Sequence, residues 1–269
     1  MKFGIISAKD VKKAGELASD IKKFLVGGGQ EVVEDLKDAE LIITLGGDGT
    51  LLHAACEHIA LGVPFVGINV GTLGFLTATE ADEWQEAIED IISGKYFVSE
   101  RMTIEASIEA NPKSQITNTK YRALNEVVVK GMYRVVNLEI TVNGQKFLNT
   151  SGDGVIVATQ TGSTAYSLSA GGPIVDPEVD SLLITPVNAH GLPVPSVVLS
   201  PNDEILVKVI RGNDISLVID GQEHIKISQS QSVRVERGQY RVKLVYFEKD
   251  QFLKSLNAKF GLASRSAAG

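Results

Sequence analysis

The sequence predicts an α/β N-terminal domain with a parallel sheet, followed by a β-rich, β-sandwich-like C-terminal domain. Up to about residue 97, short apolar runs alternate with helically spaced segments, the pattern of strands and covering helices in a parallel sheet. From 98 to 247 the texture changes to short runs rich in Val, Ile and Tyr, punctuated by Gly, Asn and Asp. Hydrophobic residues make up 43% of the 269, which is enough to build cores without a disulfide or metal staple. The expected division is 1–97, an α/β domain, and 98–247, a β-rich domain. Residues 248–269 are expected to pack back on the first.

In chain order, Phe3–Ile6 reads as a strand. Val11–Leu25 reads as a helix, with Ala14, Leu17, Ile21 and Leu25 at helical spacing. Gly27-Gly28-Gly29 follows as its C-cap and turn. Leu41–Leu45 is the continuous apolar run of a strand buried on both faces. Thr50–Ala60 is helix-like, Val63–Ile68 a strand, and Ala81–Ile92 a helix. Beyond them, Tyr121–Lys130, Val135–Val142, Asp153–Ala158, Glu204–Val209, Ile215–Ile219, Ser232–Val235 and Tyr240–Tyr246 read as strands. Asn143-Gly144 supplies a hairpin turn. Phe252–Gly261 has weak helical spacing, and Ser264 onward is expected to be a frayed tail.

Charge and cysteine usage exclude several classes. The net charge is −7 with no Lys/Arg block, so the attraction to phosphate backbones typical of nucleic-acid binders is missing. The single Cys56 rules out an intramolecular disulfide and a Cys-rich zinc site. His53 and His58 stand five apart, off the i,i+4 spacing of a helical metal pair. No signal-peptide pattern and no membrane-length apolar run is present, so a cytoplasmic protein is expected. Cys56 and Trp84 read as packing residues.

Gly46-Gly47-Asp48-Gly49-Thr50 lies between a buried strand and a helix. Glycines there expose backbone N–H groups to an anion, and the helix N-terminus favours negative charge. A carboxylate in such a loop repels phosphates, so Asp48 makes sense as a base for a hydroxyl or an indirect metal anchor. Read instead as a helix cap, it is replaceable by Asn with little loss of stability. Asn69-Val70-Gly71-Thr72-Leu73-Gly74-Phe75-Leu76 combines two glycines with a flat ring, Phe75; the alternative is a glycine turn over a core Phe. Asn125-Glu126 can read a ribose diol or base edge, or simply open a strand. Gly152-Asp153-Gly154 and the run Gly162–Pro173 expose backbone and small hydroxyls around one large platform, Tyr166.

The loop at 46–50, with Leu51-Leu52, resembles a signature shared by NAD kinases, diacylglycerol-type lipid kinases and, more loosely, phosphofructokinases. By itself it does not choose among them. The string at 69–76 resembles the second NAD-kinase signature, Asn125-Glu126 matches that family's Asn-Glu pair, and Gly162–Pro173 is similar to its adenine-binding segment. Asp220-Gly221-Gln222 matches a late turn of the same family. The resemblance runs from about Gly4 to Tyr246. It implies phosphorylation of the adenosine-ribose 2′-hydroxyl of NAD by ATP, with Mg²⁺ carried in on the nucleotide.

On that resemblance, Asp48 is the catalytic residue. Gly46, Gly47, Gly49, Thr50, Gly71, Thr72 and Gly74 hold the ATP phosphates. Asp48, Gly49, His53, Phe75, Asn125, Glu126, Asp153, Thr164, Ala165, Tyr166, Ser169, Asn188 and Gln222 hold NAD. The implied site lies in the cleft between the two domains, and the implied assembly is a homodimer or homotetramer. Three positions depart from the family pattern: Gln160 replaces a usual proline, Ser151 a common basic residue, and Asn188 a usual cysteine. A lipid kinase and a non-catalytic NAD sensor are the rival readings. The first lacks a basic amphipathic segment, and the second has no need of Asp48.

Overall fold

The computed structural model describes residues 1–72, 74–109, 119–191 and 194–261. Leu73 of the second glycine string and the tail from Ser264 lie outside the described residues. The strands are β1 (Lys2–Ser7), β2 (Glu31–Val32), β3 (Leu41–Gly46), β4 (Phe65–Asn69), β5 (Thr79–Glu80), β6 (Phe97–Glu109), β7 (Lys120–Ala123), β8 (Glu126–Gly131), β9 (Val136–Val142), β10 (Gln145–Gly152), β11 (Gly154–Thr159), β12 (Leu182–Val187), β13 (Val197–Leu199), β14 (Ile205–Arg211), β15 (Ile215–Ile219), β16 (Glu223–Ile227) and β17 (Ser232–Tyr246). The helices are α1 (Lys12–Gly27), α2 (Asp48–Glu57), α3 (Trp84–Ile92), α4 (Tyr166–Ser169) and α5 (Gln251–Phe260). The chain forms two compact units, 1–100 with 242–269, and 101–241.

In the first unit, β2, β1, β3 and β4 pair in parallel in that order, and Leu244 of β17 pairs with Phe65 of β4. All six residues of β3 are buried, which is why the run shows no polar alternation. Helix α1 buries Ala14, Ile21 and Leu25 and ends at the expected glycines. Trp84 packs edge-on against Phe24, with ring centroids 5.3 Å apart. Cys56, read as a packing residue, is only partly buried.

The second unit is a sandwich of antiparallel strands. One sheet runs β13-β12-β11-β8-β15-β16, and β10, β9, β14 and β17 pair in the other. Their facing sides share a core that includes Ile104, Val127, Val129, Leu138, Val155, Val157, Val207 and Val233. The opposite side of the first sheet buries Val128, Ile156, Ala158, Leu183 and Val218, packed against Ala170 and Val175. This sheet is therefore buried on both faces, and the stretch after β11 is fixed against its outer one.

Two expected strands need correction. Tyr121–Lys130 is not one strand but β7 and β8, broken at Leu124-Asn125. The backbone N–H groups there leave the ladder for the carboxylate of Asp220. Ser232–Val235 and Tyr240–Tyr246 are not two strands but the single β17. Gly238, read as punctuation, sits where a Cβ would be 2.2 Å from Thr103 Oγ1, so it marks a close approach rather than a turn.

Candidate active site

The loop after β3 enters α2 with Gly47 at the N-cap and Asp48 in the first turn, where a carboxylate complements the helix dipole. The N-cap position itself is Gly47, which has no side chain to cap the helix. The Asp48 carboxylate reaches across to the segment after β4. Oδ2 accepts the N–H of Phe75 at 2.7 Å, and Oδ1 accepts those of Leu76 at 3.0 Å and Thr77 at 3.3 Å. The entry to that segment is held by buried Asn69. Its Oδ1 accepts the Gly71 N–H at 3.1 Å, and its Nδ2 donates to Glu80 at 2.8 and 3.0 Å. Gly71 and Thr72 are exposed, whereas Gly74 is buried beside the Asp48 carboxylate. In the first glycine loop, the Thr50 N–H donates to Gly47 O at 3.0 Å.

His53 is exposed on α2, where its Nε2 lies 3.5 Å from Glu57. The Phe75 ring is covered from α5, with Lys259 Nζ 4.0 Å from its centroid.

The second unit repeats the carboxylate arrangement. Asp220, in a turn with φ 47°, accepts three consecutive N–H groups: Leu124 at 2.9 Å, Asn125 at 2.8 Å and Glu126 at 2.9 Å. Thr159 adds a second tie, with its Oγ1 donating to Leu124 O at 2.5 Å and its N–H to Asn125 O at 2.8 Å. These bonds break the strand and set Glu126 at the head of β8.

Glu126 is 5% exposed, and its Oε2 has no hydrogen-bond partner among the described residues. Burial, reinforced by the negative charge of Asp220, pushes its carboxyl up to about 8, against the opposing pull of the Tyr166 backbone N–H. At neutral pH it is mostly protonated, so it can both donate and accept a hydrogen bond.

The run from Thr161 divides its hydroxyls between two jobs. Ser163 Oγ bonds Val175 in both directions and ties the segment to the stretch that follows it, while Ser167 Oγ lies 2.8 Å from Thr185 Oγ1 and fastens the segment to β12 of the sheet. Tyr166, 38% exposed, and Ser169 face outward, with Thr164 and Ala165 partly exposed beside them. Asp153 and Asn188 form an exposed pair: Asn188, at φ 47°, donates from Nδ2 to Asp153 Oδ2 at 2.7 Å. Gln222 is exposed, and its N–H donates to Ile219 O at 2.9 Å.

Against this geometry the comparisons with known proteins can be read. A family model described as the ATP-NAD kinase N-terminal domain matches residues 29–96, and one described as the ATP-NAD kinase C-terminal domain matches 124–247. An NAD kinase of Lachnoclostridium phytofermentans is 33% identical, covering 97% of this chain and 99% of its own. The chain belongs to the ATP-NAD kinase family. An NAD kinase of Heliobacterium modesticaldum is 39% identical over 85% of this chain and 81% of its own. In fold, the chain is similar to yeast NADH kinase complexed with NADH, with a TM-score of 0.88 and 21% identity over 100% of this chain and 89% of that one. It is also similar to an NAD kinase from Archaeoglobus fulgidus in complex with ATP, with a TM-score of 0.76 and 24% identity over 94% and 96%.

The departures from the ATP-NAD kinase pattern have local explanations. Gln160 is 1% exposed, and its Nε2 donates to Asp180 Oδ1 at 3.2 Å, a bond proline cannot make. Asp180 is in turn clamped by Arg241 at 2.6 and 3.0 Å, which holds its carboxyl below the usual range. Ser151 Oγ donates to Asn137 Oδ1 at 3.1 Å. Sequence reasoning missed Asn69, Asp220 and Thr159 as the groups that hold the candidate residues in place. Asp220 had a signal, since a carboxylate beside a turn glycine is a ready acceptor, but nothing local points to its partners 94 to 96 residues away.

Proposed function

We propose that this chain transfers the γ-phosphoryl group of ATP to the 2′-hydroxyl of the adenosine ribose of NAD, giving NADP and ADP. Family membership supports NAD phosphorylation, and the arrangement that carries the reading is Asp48, a carboxylate at a helix N-terminus pinned by three consecutive N–H groups. An ionised carboxylate offers about four lone-pair positions, so three donors leave room for a substrate hydroxyl. Asp48 would orient that hydroxyl and take its proton as the new P–O bond forms and the bond to the β-phosphate breaks. Because the carboxylate is already fixed, much of its contribution is positioning.

The ATP phosphates are assigned to the exposed Gly47, Gly49, Gly71 and Thr72 and the half-buried Thr50, with the buried Gly46 and Gly74 shaping the ends of the two loops. Asn125, Glu126, Asp153, Thr164, Ala165, Tyr166, Ser169, Asn188 and Gln222 are assigned to NAD, with His53 and Phe75 contributing from the first unit. Among the described residues, no three His, Cys, Asp or Glu side chains gather to hold a metal. Mg²⁺ would enter as part of the ATP substrate, neutralising phosphate charge there. We place the reaction in the cytoplasm, in a homodimer or homotetramer. No described helix is long and apolar enough to cross a membrane.

The test is NADP formation by the purified chain with Mg²⁺, pairing ATP or polyphosphate with NAD or NADH. Fructose 6-phosphate and diacylglycerol serve as competing acceptors. NADP from ATP and NAD, with neither competitor phosphorylated, is the expected result. Phosphorylation of a lipid or sugar without NADP would sink the proposal, and NAD binding without turnover would reduce the chain to a binding module.

A further inference from the structure

The last turn of helix α5 packs on Phe75 of the candidate active site. Lys259, in that turn, places Nζ 4.0 Å from the centroid of the Phe75 ring. The next residue, Phe260, packs on the same ring with centroids 6.4 Å apart and planes tilted by 31°. The helix stops immediately afterwards at Gly261, in the left-handed conformation, so these are the last two side chains it presents. Among the described residues Lys259 forms no ion pair, which leaves its charge to the ring face. The residue so gripped donates its own N–H to Asp48 Oδ2 at 2.7 Å. Ring and N–H belong to one residue, so the contacts that fix the ring also restrain the backbone that carries the N–H.

We propose that Lys259 is a positioning residue for the Asp48 carboxylate, acting through Phe75. It does not touch the reacting groups. It holds the loop donors of Phe75 and Leu76 where they pin both carboxylate oxygens, so the terminal helix sets the aim of the base. The catalytic consequence rests on the reading of Asp48 given above, whereas the mechanical link does not.

The experiment compares Lys259→Met, which keeps length and apolar stem, with Lys259→Arg, which keeps the cation, each alone and in a Phe75→Leu background. Two readouts are taken, steady-state kinetics and hydrogen exchange of the Phe75 and Leu76 amides. Lys259→Met should lower kcat about three- to tenfold with KM values within about twofold, and exchange at both amides should speed up by a similar factor. Lys259→Arg should restore both readouts. In the Phe75→Leu background, Lys259→Met should add little, because its route has been removed. Wild-type kcat and exchange in Lys259→Met overturn the proposal, as does an equal loss with and without Phe75. Faster amide exchange in a protein that makes no NADP would uphold the link and sink the functional reading instead. NADP formation with unchanged exchange would do the reverse.

Discussion

A Cβ atom on Gly74 would lie 2.0 Å from Asp48 Oδ1, closer than any side chain can approach a carboxylate oxygen. The two residues therefore share one space, and the glycine is there so that the carboxylate can be. Gly74→Ala should displace Asp48 from its loop donors. A misplacement of about 1 Å costs on the order of 10² in rate, and kcat should fall by at least that much. Steady-state rates beside a melting curve check this, and a Gly74→Ala enzyme with normal kcat would remove Asp48 from the chemistry.

Asp48→Asn is expected to fail in two ways at once. Removing the charge and basicity should lower kcat by about 10²–10⁴. Stability should fall as well, by about 1–3 kcal/mol, because the amide has one acceptor oxygen for three N–H groups and turns its NH₂ toward one of them. Reading Asp48 as a cap predicts no loss of stability, whereas its bonds to the Phe75, Leu76 and Thr77 N–H groups predict one. Denaturant melts of the variant decide the point.

Glu126 should make the protein less stable as pH rises. Its folded carboxyl titrates at about 8 against an ordinary value of 4.5, so between these values the unfolded chain binds fewer protons than the folded one. Stability from this group is fully present below pH 4.5 and is lost progressively up to pH 8. The loss is on the order of 3–5 kcal/mol. Glu126→Gln should match wild type in acid and exceed it at pH 8. Asp220→Asn should lower the Glu126 value, since the Asp220 charge helps to raise it. Parallel pH dependences for wild type and Glu126→Gln would contradict this account.

Tyr166 offers an exposed ring on a segment that Ser167 bolts to the sheet through Thr185. If the ring stacks on the nucleotide, Tyr166→Ala should raise KM for NAD by an amount equivalent to about 1–3 kcal/mol. Tyr166→Phe should be far milder. Equal damage from both would assign the role to the hydroxyl.

The glycine strings, the Asn-Glu pair and Tyr166 were legible because their chemistry is local: small residues beside a strand end, or a large ring among small ones. The fold class was legible for the same reason, since period and composition change along the chain. What could not be read is what holds these residues. The break between β7 and β8 depends on Asp220, far away in sequence, and Val127–Val129 beside it gave every sign of one uninterrupted strand. The β17 residues around Gly238 looked like a turn because a close-packed glycine and a flexible one are the same letter. Lys259 looked like any exposed lysine on a terminal helix.

The two clamped carboxylates also set a rule for which sequences this fold can accept. At 75–77 and at 124–126 the anion is recognised by peptide N–H groups, not by side chains. Whatever side chain each of those six positions carries, and Phe75, Asn125 and Glu126 have side-chain roles of their own, each must keep a proton on its nitrogen. Proline is the one residue that cannot supply it. A saturation library should therefore show proline barred at all six positions, including those where bulky, small and polar residues are otherwise tolerated. Such a pattern would trace both carboxylates on a sequence map without a structure.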